Sequence, residues 1–526
     1  MAEEERISVK NWNPGLNLGI NKGVHPVGGL WKVSNFHPRL SGLQIKSGYE
    51  LAEQGIFPPF TEIPTPIAST FGEPVVSSKF EATDEVPLSS EFVVDTQNEV
   101  RGCHSRSIES GQKIEALLVV GNSFYQLIYD GTTWTINLIT EFLYPVKATE
   151  TIIFTEWNDK VYFAHAGKPL KYWDGTTIQD ASPGAPQAGV VVSYEGFVVA
   201  LDLEPDELIG ESFPNGMRWT ERFDDETWDD TLPTSATSGF KVPSQCPSRI
   251  LAAVPVRDEL VVLHEGEIET QRFISGDEIL RTFVASTSVG ILGKKAFATA
   301  LDALMFAGND NFYIYSQGTI TAVDINKRIR DEVFTLPKEN LATSVVYFDR
   351  GEGDLWWFIK TPTPKAYVFN INLNNWTIDD YDERFFFSFP ACFIDPYPVE
   401  FGSYFVGEDA SIYKFGRDVE QDEGLPINAS AEFIIDFDTH KEKTISKIEI
   451  IADGTGSVTI GLDGMNNTTA DPSYIERTLS LDPTLPNRKN TLDFPNINGK
   501  FIATRISTSA PIRISEIIYY VSIGGR

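Results

Sequence analysis

Cysteine is scarce: Cys103, Cys246 and Cys392 are the only three in 526 residues, and no two form a Cys-x-x-Cys pair. That excludes a disulfide framework and a local zinc knuckle, and the three are expected as buried free thiols. Histidine is also sparse. None of His25, His37, His104, His165, His264 and His440 lies three or four residues from another, so a metal cluster has no local support, while a site assembled from distant residues stays open. Positive charge is short as well, with 43 Lys and Arg against 74 Asp and Glu and a formal charge of −31. Such a surface does not wrap nucleic acid by neutralising phosphates, although DNA remains admissible as a passing cargo, because a conduit works when its wall does not adhere.

Long apolar runs are missing too. No window reaches about 18 uninterrupted apolar residues, so no membrane span is expected. The opening Met-Ala-Glu-Glu-Glu-Arg has neither a basic nor an apolar leader region, so folding in a cytoplasm is expected. Gly-x-Ser-x-Gly, the Gly-x-x-x-x-Gly-Lys-[Ser/Thr] phosphate loop and a strand-to-helix Gly-x-Gly-x-x-Gly are all absent. The reading is therefore of a protein that is not an enzyme, with no catalytic or metal residue assigned and no cofactor.

What the sequence has in quantity is short strands. Asp258-Glu-Leu-Val-Val-Leu-His264, Ala303-Leu-Met-Phe-Ala307 and Phe312-Tyr-Ile-Tyr315 are apolar, β-branched or aromatic runs closed by Gly, Asn or Asp. From about residue 112 a grammar repeats: strand, Asn-containing turn, aromatic strand, then Asp-Gly, first at Asp130-Gly131 and again at Asp174-Gly175. Spacings of roughly 35 to 65 residues fit four-stranded blades. The expected fold is all-β, a β-propeller of about six or seven blades over 101–424. An extended N-terminal arm with the first strands over 1–100 precedes it, and a C-terminal β-sandwich over 425–526 follows. A stack of sandwiches is the alternative. The one helical pattern is residues 324–333, with Ile325, Ile329 and Val333 on one face.

Two acidic segments stand out. One holds Glu221, Asp224, Asp225, Glu226, Asp229 and Asp230; the other holds Asp379, Asp380, Asp382 and Glu383. Solvated loop faces are the commoner meaning of such runs. Neither matches the EF-hand calcium loop. The two Asp-Gly sites lack the residue that separates Asp from Gly in a sialidase Asp-box, and read instead as type I′ turns. A propeller carbohydrate-active enzyme such as a depolymerase would need a cavity with two carboxylates. A receptor- or glycan-binding propeller would use Tyr172, Trp173, Trp356 and Trp357 as anchors, although packing between blades is the more common fate of such residues.

Several residues carry a family resemblance. Asn35 followed by Gly42-Leu-Gln-Ile-Lys-Ser-Gly-Tyr49, Met217-Arg-Trp-Thr220 followed by Trp228, Arg257-Asp258, Glu267-Ile268, Gly290-Ile291, Phe312-Tyr-Ile-Tyr315, and Lys365-Ala-Tyr-Val-Phe369 followed by Asn375-Trp376 run in one order from about residue 33 onward. That order resembles the tail nozzle, or packed-DNA stabilisation, proteins of short-tailed bacteriophages. The resemblance implies a structural virion protein assembled in the host cytoplasm. It would form a homo-hexameric ring below the portal and its adaptor or head-completion protein, retain packaged double-stranded DNA, conduct it at ejection without sequence-specific binding, and offer attachment to a tail fibre or plug. Within such a ring Asp224, Asp225, Glu226, Asp229, Asp230, Asp379, Asp380, Asp382 and Glu383 are the expected channel or interface residues, repelling phosphate over a Debye length of about 8 Å.

Overall fold

The computed structural model describes residues 4–9, 32–39, 42–46, 48–53, 100–141, 151–165, 168–205, 210–229, 236–274, 279–300, 302–323, 329–381, 385, 390–394, 403–408, 411–416, 419, 421–422, 425–435, 442–468, 470–481 and 489–523. Six consecutive four-stranded antiparallel sheets follow one another along the chain. Blade 1 comprises Val100–Ile108, Lys113–Val120, Ser123–Tyr129 and Trp134–Glu141; blade 2, Ile153–Trp157, Lys160–Ala164, Lys171–Trp173 and Ile178–Asp180. Blade 3 comprises Ala188–Tyr194, Phe197–Leu203, Phe213–Trp219 and Gly239–Lys241; blade 4, Ile250–Val256, Glu259–His264, Ile268–Phe273 and Leu280–Ser286. Blade 5 comprises Phe297–Ala300, Ala303–Ala307, Phe312–Ser316 and Thr319–Ala322; blade 6, Val345–Asp349, Asp354–Ile359, Lys365–Asn370 and Asn375–Asp380.

Blade 7 is composite. Pro390–Ile394, Ser403–Gly407 and Ile412–Gly416 supply three strands, and the fourth is Gly48–Glu53 from the N-terminal segment, antiparallel to Ile412–Gly416. First strands of neighbouring blades pack together, and Pro390–Ile394 of blade 7 meets Val100–Ile108 of blade 1, which closes the ring. The fold is an all-β propeller of seven blades followed by a sandwich.

Blade strands read as continuous apolar runs because each sheet is covered on both faces by its neighbours. Leu260, Val261, Val262 and Leu263 are all fully buried, as are Val198, Val199, Ala200 and Leu201. Trp173, Trp356 and Trp357 belong to this interior, so they pack between blades and are not surface anchors. Type I′ geometry occurs at Glu195-Gly196 and Gln317-Gly318, where both central residues have positive φ. Asp130-Gly131 and Asp174-Gly175 differ from expectation: four residues separate the paired Tyr129 and Trp134, and the Asp130 carboxylate gathers the N–H groups of Thr132 (2.9 Å) and Thr133 (2.8 Å). Those donors at Asp130, and the N–H groups of Thr176 and Thr177 at Asp174, hold both carboxyls well below the usual carboxylate range. The helix expected over 324–333 is realised at Arg330–Val333, with Ile329 and Val333 buried, while 324–328 lie outside the described residues.

The sandwich draws on both ends of the chain. One sheet runs Phe36–Arg39, Gly42–Ile45, Ile512–Ile523, Lys443–Gly454 and Lys489–Gly499, with Glu4–Val9 also paired to Ile512–Ile523; the other runs Lys32–Ser34, Ala429–Ile435, Phe501–Thr508, Gly456–Met465 and Ile475–Leu481. Alternate side chains such as Val458, Ile460 and Leu462 lie beside Ile502 and Ile506 of the neighbouring strand and enter the core with them. The N-terminal arm is thus structural wherever it is described: its strands complete both sandwich sheets and blade 7.

Candidate functional site

The first acidic segment follows the third strand of blade 3 and serves packing. Glu221 accepts the backbone N–H groups of Ala236 and Thr237, both at 2.8 Å, and the Thr237 hydroxyl at 2.5 Å. Burial works against its charge, but these donors outweigh it and lower its pKa. Asp224 accepts from the Glu226 N–H and from Thr227 Oγ1, both at 2.9 Å. Asp225 is buried and accepts from Lys160 Nζ and the Tyr162 hydroxyl of blade 2, so it ties blade 3 to blade 2. Burial would lower the Lys160 pKa; Asp225 overrides it and raises it. Glu226 is exposed, Asp229 is half-buried, and Asp230 lies outside the described residues. Beside them Arg218 Nε donates to the Trp228 carbonyl at 3.0 Å, which gives the Arg-and-Trp pair of this segment a structural task.

The second acidic segment corrects the expectation more sharply. Asp379 lies in the outermost strand of blade 6, fully buried beneath the N-terminal segment. His37 Nε2 bonds Asp379 Oδ1 at 2.8 Å and Trp356 Nε1 donates to Asp379 Oδ2 at 3.1 Å. His37 Nδ1 lies 3.6 Å from Asp354 Oδ2. Arg39 binds Asp354 as well, with Nη1 at 3.3 Å from Oδ1, and reaches Glu352 at 3.2 Å. Burial opposes a charge on His37 and Arg39, 3.1 Å away, opposes it further; Asp379 and Asp354 outweigh both and raise the His37 pKa. Burial would raise the Asp354 pKa, and His37 and Arg39 instead lower it.

Asp380 accepts from Ser34 Oγ at 2.5 Å and is half-buried; Asp382 and Glu383 lie outside the described residues. An acidic run that looks like a solvated face is here the socket for a basic strand. Its cations sit more than 300 residues upstream, so local sequence could not reveal them.

A second buried cluster joins Cys246, in the connection from blade 3 to blade 4, with His264 and Glu269 in the second and third strands of blade 4. One ligand atom from each lies within 4.8 Å of the others, and all three side chains are fully buried. His264 Nδ1 faces the Ser248 carbonyl at 2.8 Å, which fixes the proton there. Burial, then Glu269 and Glu267, push the Cys246 thiol up to about 12. The expectation of a simple buried thiol omitted this grouping, because His264 and Glu269 meet across a hairpin and not along a helix.

On the surface, a cleft of about 480 Å³ lies at the seam of blades 7 and 1, lined by Ala52, Tyr129, Thr132, Thr133, Trp134, Tyr404 and Lys414. Tyr129 and Trp134 stack with centroids 4.8 Å apart, and Tyr404 meets the Trp134 face edge-on at 5.3 Å.

No family model and no curated sequence matches this chain. Solved structures similar in shape include YCF48 bound to D1 peptide, at 8% identity and TM-score 0.38 over 61% of this chain and 92% of that one. A mitotic checkpoint complex chain follows at 10% identity and TM-score 0.39, over 66% and 99%. The extracellular domain of the one-component system BT4673 from B. thetaiotaomicron gives 11% identity and TM-score 0.38, over 69% and 44%.

Proposed function

We propose that this chain is a structural subunit of a short-tailed phage tail nozzle or hub, a homo-hexameric ring that retains packaged DNA and later conducts it outward. The observation that supports this best is the course of the N-terminal segment. Its strands enter both sandwich sheets and then complete blade 7, so the two modules are bound by backbone ladders and by the buried His37, Arg39, Asp354 and Asp379 cluster. A part that transmits force between neighbours above and below benefits from such a joint. The net charge of −31 suits a wall that phosphate does not adhere to. The partners in this reading are a portal adaptor, a fibre or plug, and duplex DNA in transit.

Antibody labelling of intact particles from the source, followed by electron microscopy, tests it. Label beneath the portal with six-fold averages is the expected result. Label on fibres, or none on particles, overturns it.

A receptor- or glycan-binding propeller is a second reading, favoured by the aromatic cleft at the seam of blades 7 and 1, because the apolar faces of sugar rings stack on such side chains. Screening the protein and Trp134→Ala on a glycan array tests it. Binding abolished by the substitution supports this reading, and no binding by either protein removes it.

A further inference from the structure

We propose that Cys246, His264 and Glu269 form a site for one divalent transition-metal ion of the zinc class, stapling the blade 3 to blade 4 connection onto the blade 4 hairpin. Two acceptors in this cluster lack donors. His264 Nε2 and Glu269 Oε2 are buried without any hydrogen-bond partner, on side chains that are fully buried. With Nδ1 committed to the Ser248 carbonyl, the Nε2 lone pair points outward from that bond, 3.7 Å from Glu269 Oε1. That separation is too long for a hydrogen bond, and Glu269 Oε1 is already bonded by Gln271 Nε2 at 3.0 Å; Glu269 Oε2 and His264 Nε2 are the two buried acceptors left for a shared positive partner.

A cation supplies it. A thiolate, a carboxylate and a neutral imidazole around a divalent ion sum to zero charge, which removes the penalty of an isolated buried carboxylate. The mixed sulfur, nitrogen and oxygen set selects zinc or its transition-metal neighbours over calcium and magnesium, which prefer oxygen alone. Ligand bonds of about 2.0–2.3 Å place tetrahedral donors roughly 3.3–3.8 Å apart, so contraction by about 1 Å from the present spacing completes the geometry. The fourth position is left for water or the second Glu269 oxygen.

Supporting groups are already in place. Thr282 Oγ1 donates to Gln271 Oε1 at 2.9 Å, which turns Gln271 Nε2 toward Glu269 Oε1 at 3.0 Å. Asn215 Nδ2 donates to the Cys246 carbonyl at 3.1 Å and so holds the cysteine's loop. Outer partners of this kind fix the orientation of metal ligands. Binding converts Cys246 from thiol to thiolate, and the displaced proton leaves to solvent.

The test is metal content of the full chain, purified without a polyhistidine tag or chelator and equilibrated with zinc. About one equivalent per chain is expected, with a higher Tm than the chelated protein, and Cys246→Ser and His264→Gln each lose that equivalent. Cobalt substitution of the unaltered protein reads the site without any variant, through a thiolate-to-cobalt charge-transfer band. Absence of that band, metal well below stoichiometry with no Tm change, or unchanged metal in both variants overturns the proposal.

Discussion

Asn35 Oδ1 accepts the backbone N–H of Asp380 at 2.8 Å, while Asn35 Nδ2 donates to the Asn428 carbonyl at 2.6 Å. One side chain thereby joins the outer edge of blade 6 to the approach to the sandwich. Asn35 has φ +59, a conformation Asn tolerates better than most residues, and its own N–H donates to the Ile378 carbonyl at 3.0 Å.

Asn35→Ala leaves a buried donor and a buried acceptor without partners and places Ala in an unfavourable backbone region. A loss of about 2–6 kcal/mol is expected, at roughly 1–3 kcal/mol for each orphaned group. Urea unfolding followed by tryptophan fluorescence measures it, and a midpoint equal to that of the unaltered protein contradicts the joining role of Asn35.

His37 makes stability pH-dependent with a defined sign. Its pKa is raised in the folded protein, so its contribution is full below the unfolded value near 6.5 and is lost as pH rises through the folded value. Asp354 acts oppositely: its pKa is lowered, so its contribution is present above the unfolded value near 3.9 and is lost as pH falls through the folded one. Denaturation midpoints across pH 5 to 9 are expected to fall toward the alkaline end, and His37→Gln is expected to flatten that slope.

The acidic residues of blade 3 divide by burial. Asp225→Asn weakens the charge-assisted bonds to Lys160 and Tyr162 and is expected to cost about 1–3 kcal/mol. Glu226→Lys, on an exposed side chain, is expected to stay within about 0.5 kcal/mol. Thermal unfolding of both variants separates the two roles; equal effects would contradict the assignment.

Deleting residues 1–53 removes the fourth strand of blade 7 and strands from both sandwich sheets. The bared edge of Ile412–Gly416 is then expected to drive aggregation, visible by size-exclusion chromatography. Supplying the segment as a separate peptide during refolding is expected to restore part of the monodisperse protein. A deleted chain that stays monodisperse would show that the edge is protected otherwise.

Much of this architecture was legible because blade strands are covered on both faces and therefore carry unbroken apolar runs, as Leu260 to Leu263 do. The composite make-up of blade 7 was not, because its fourth strand is Gly48–Glu53 and that strand's partner is Ile412–Gly416; pairing across such a distance leaves no periodic trace. Lys489–Gly499 is hard to read as a strand for a different reason, since Pro, Asn and Gly interrupt its alternation. The acidic segments misled because burial depends on partners. Asp379 and Asp225 look like their exposed neighbours until His37 and Lys160 arrive from other parts of the chain.

Pairing between the chain's two ends also sets a timetable for synthesis. Glu4–Val9 leaves the ribosome long before its partner Ile512–Ile523, with Glu4 opposite Ser522. At about 5–20 residues per second, roughly 25–100 s separate the two events. Throughout that interval the blades can collapse while the earliest strand has no place to dock. A chain that stops short of Ile512 therefore holds every blade yet lacks the central strand of one sandwich sheet, so that strand works as a check that the sandwich is complete.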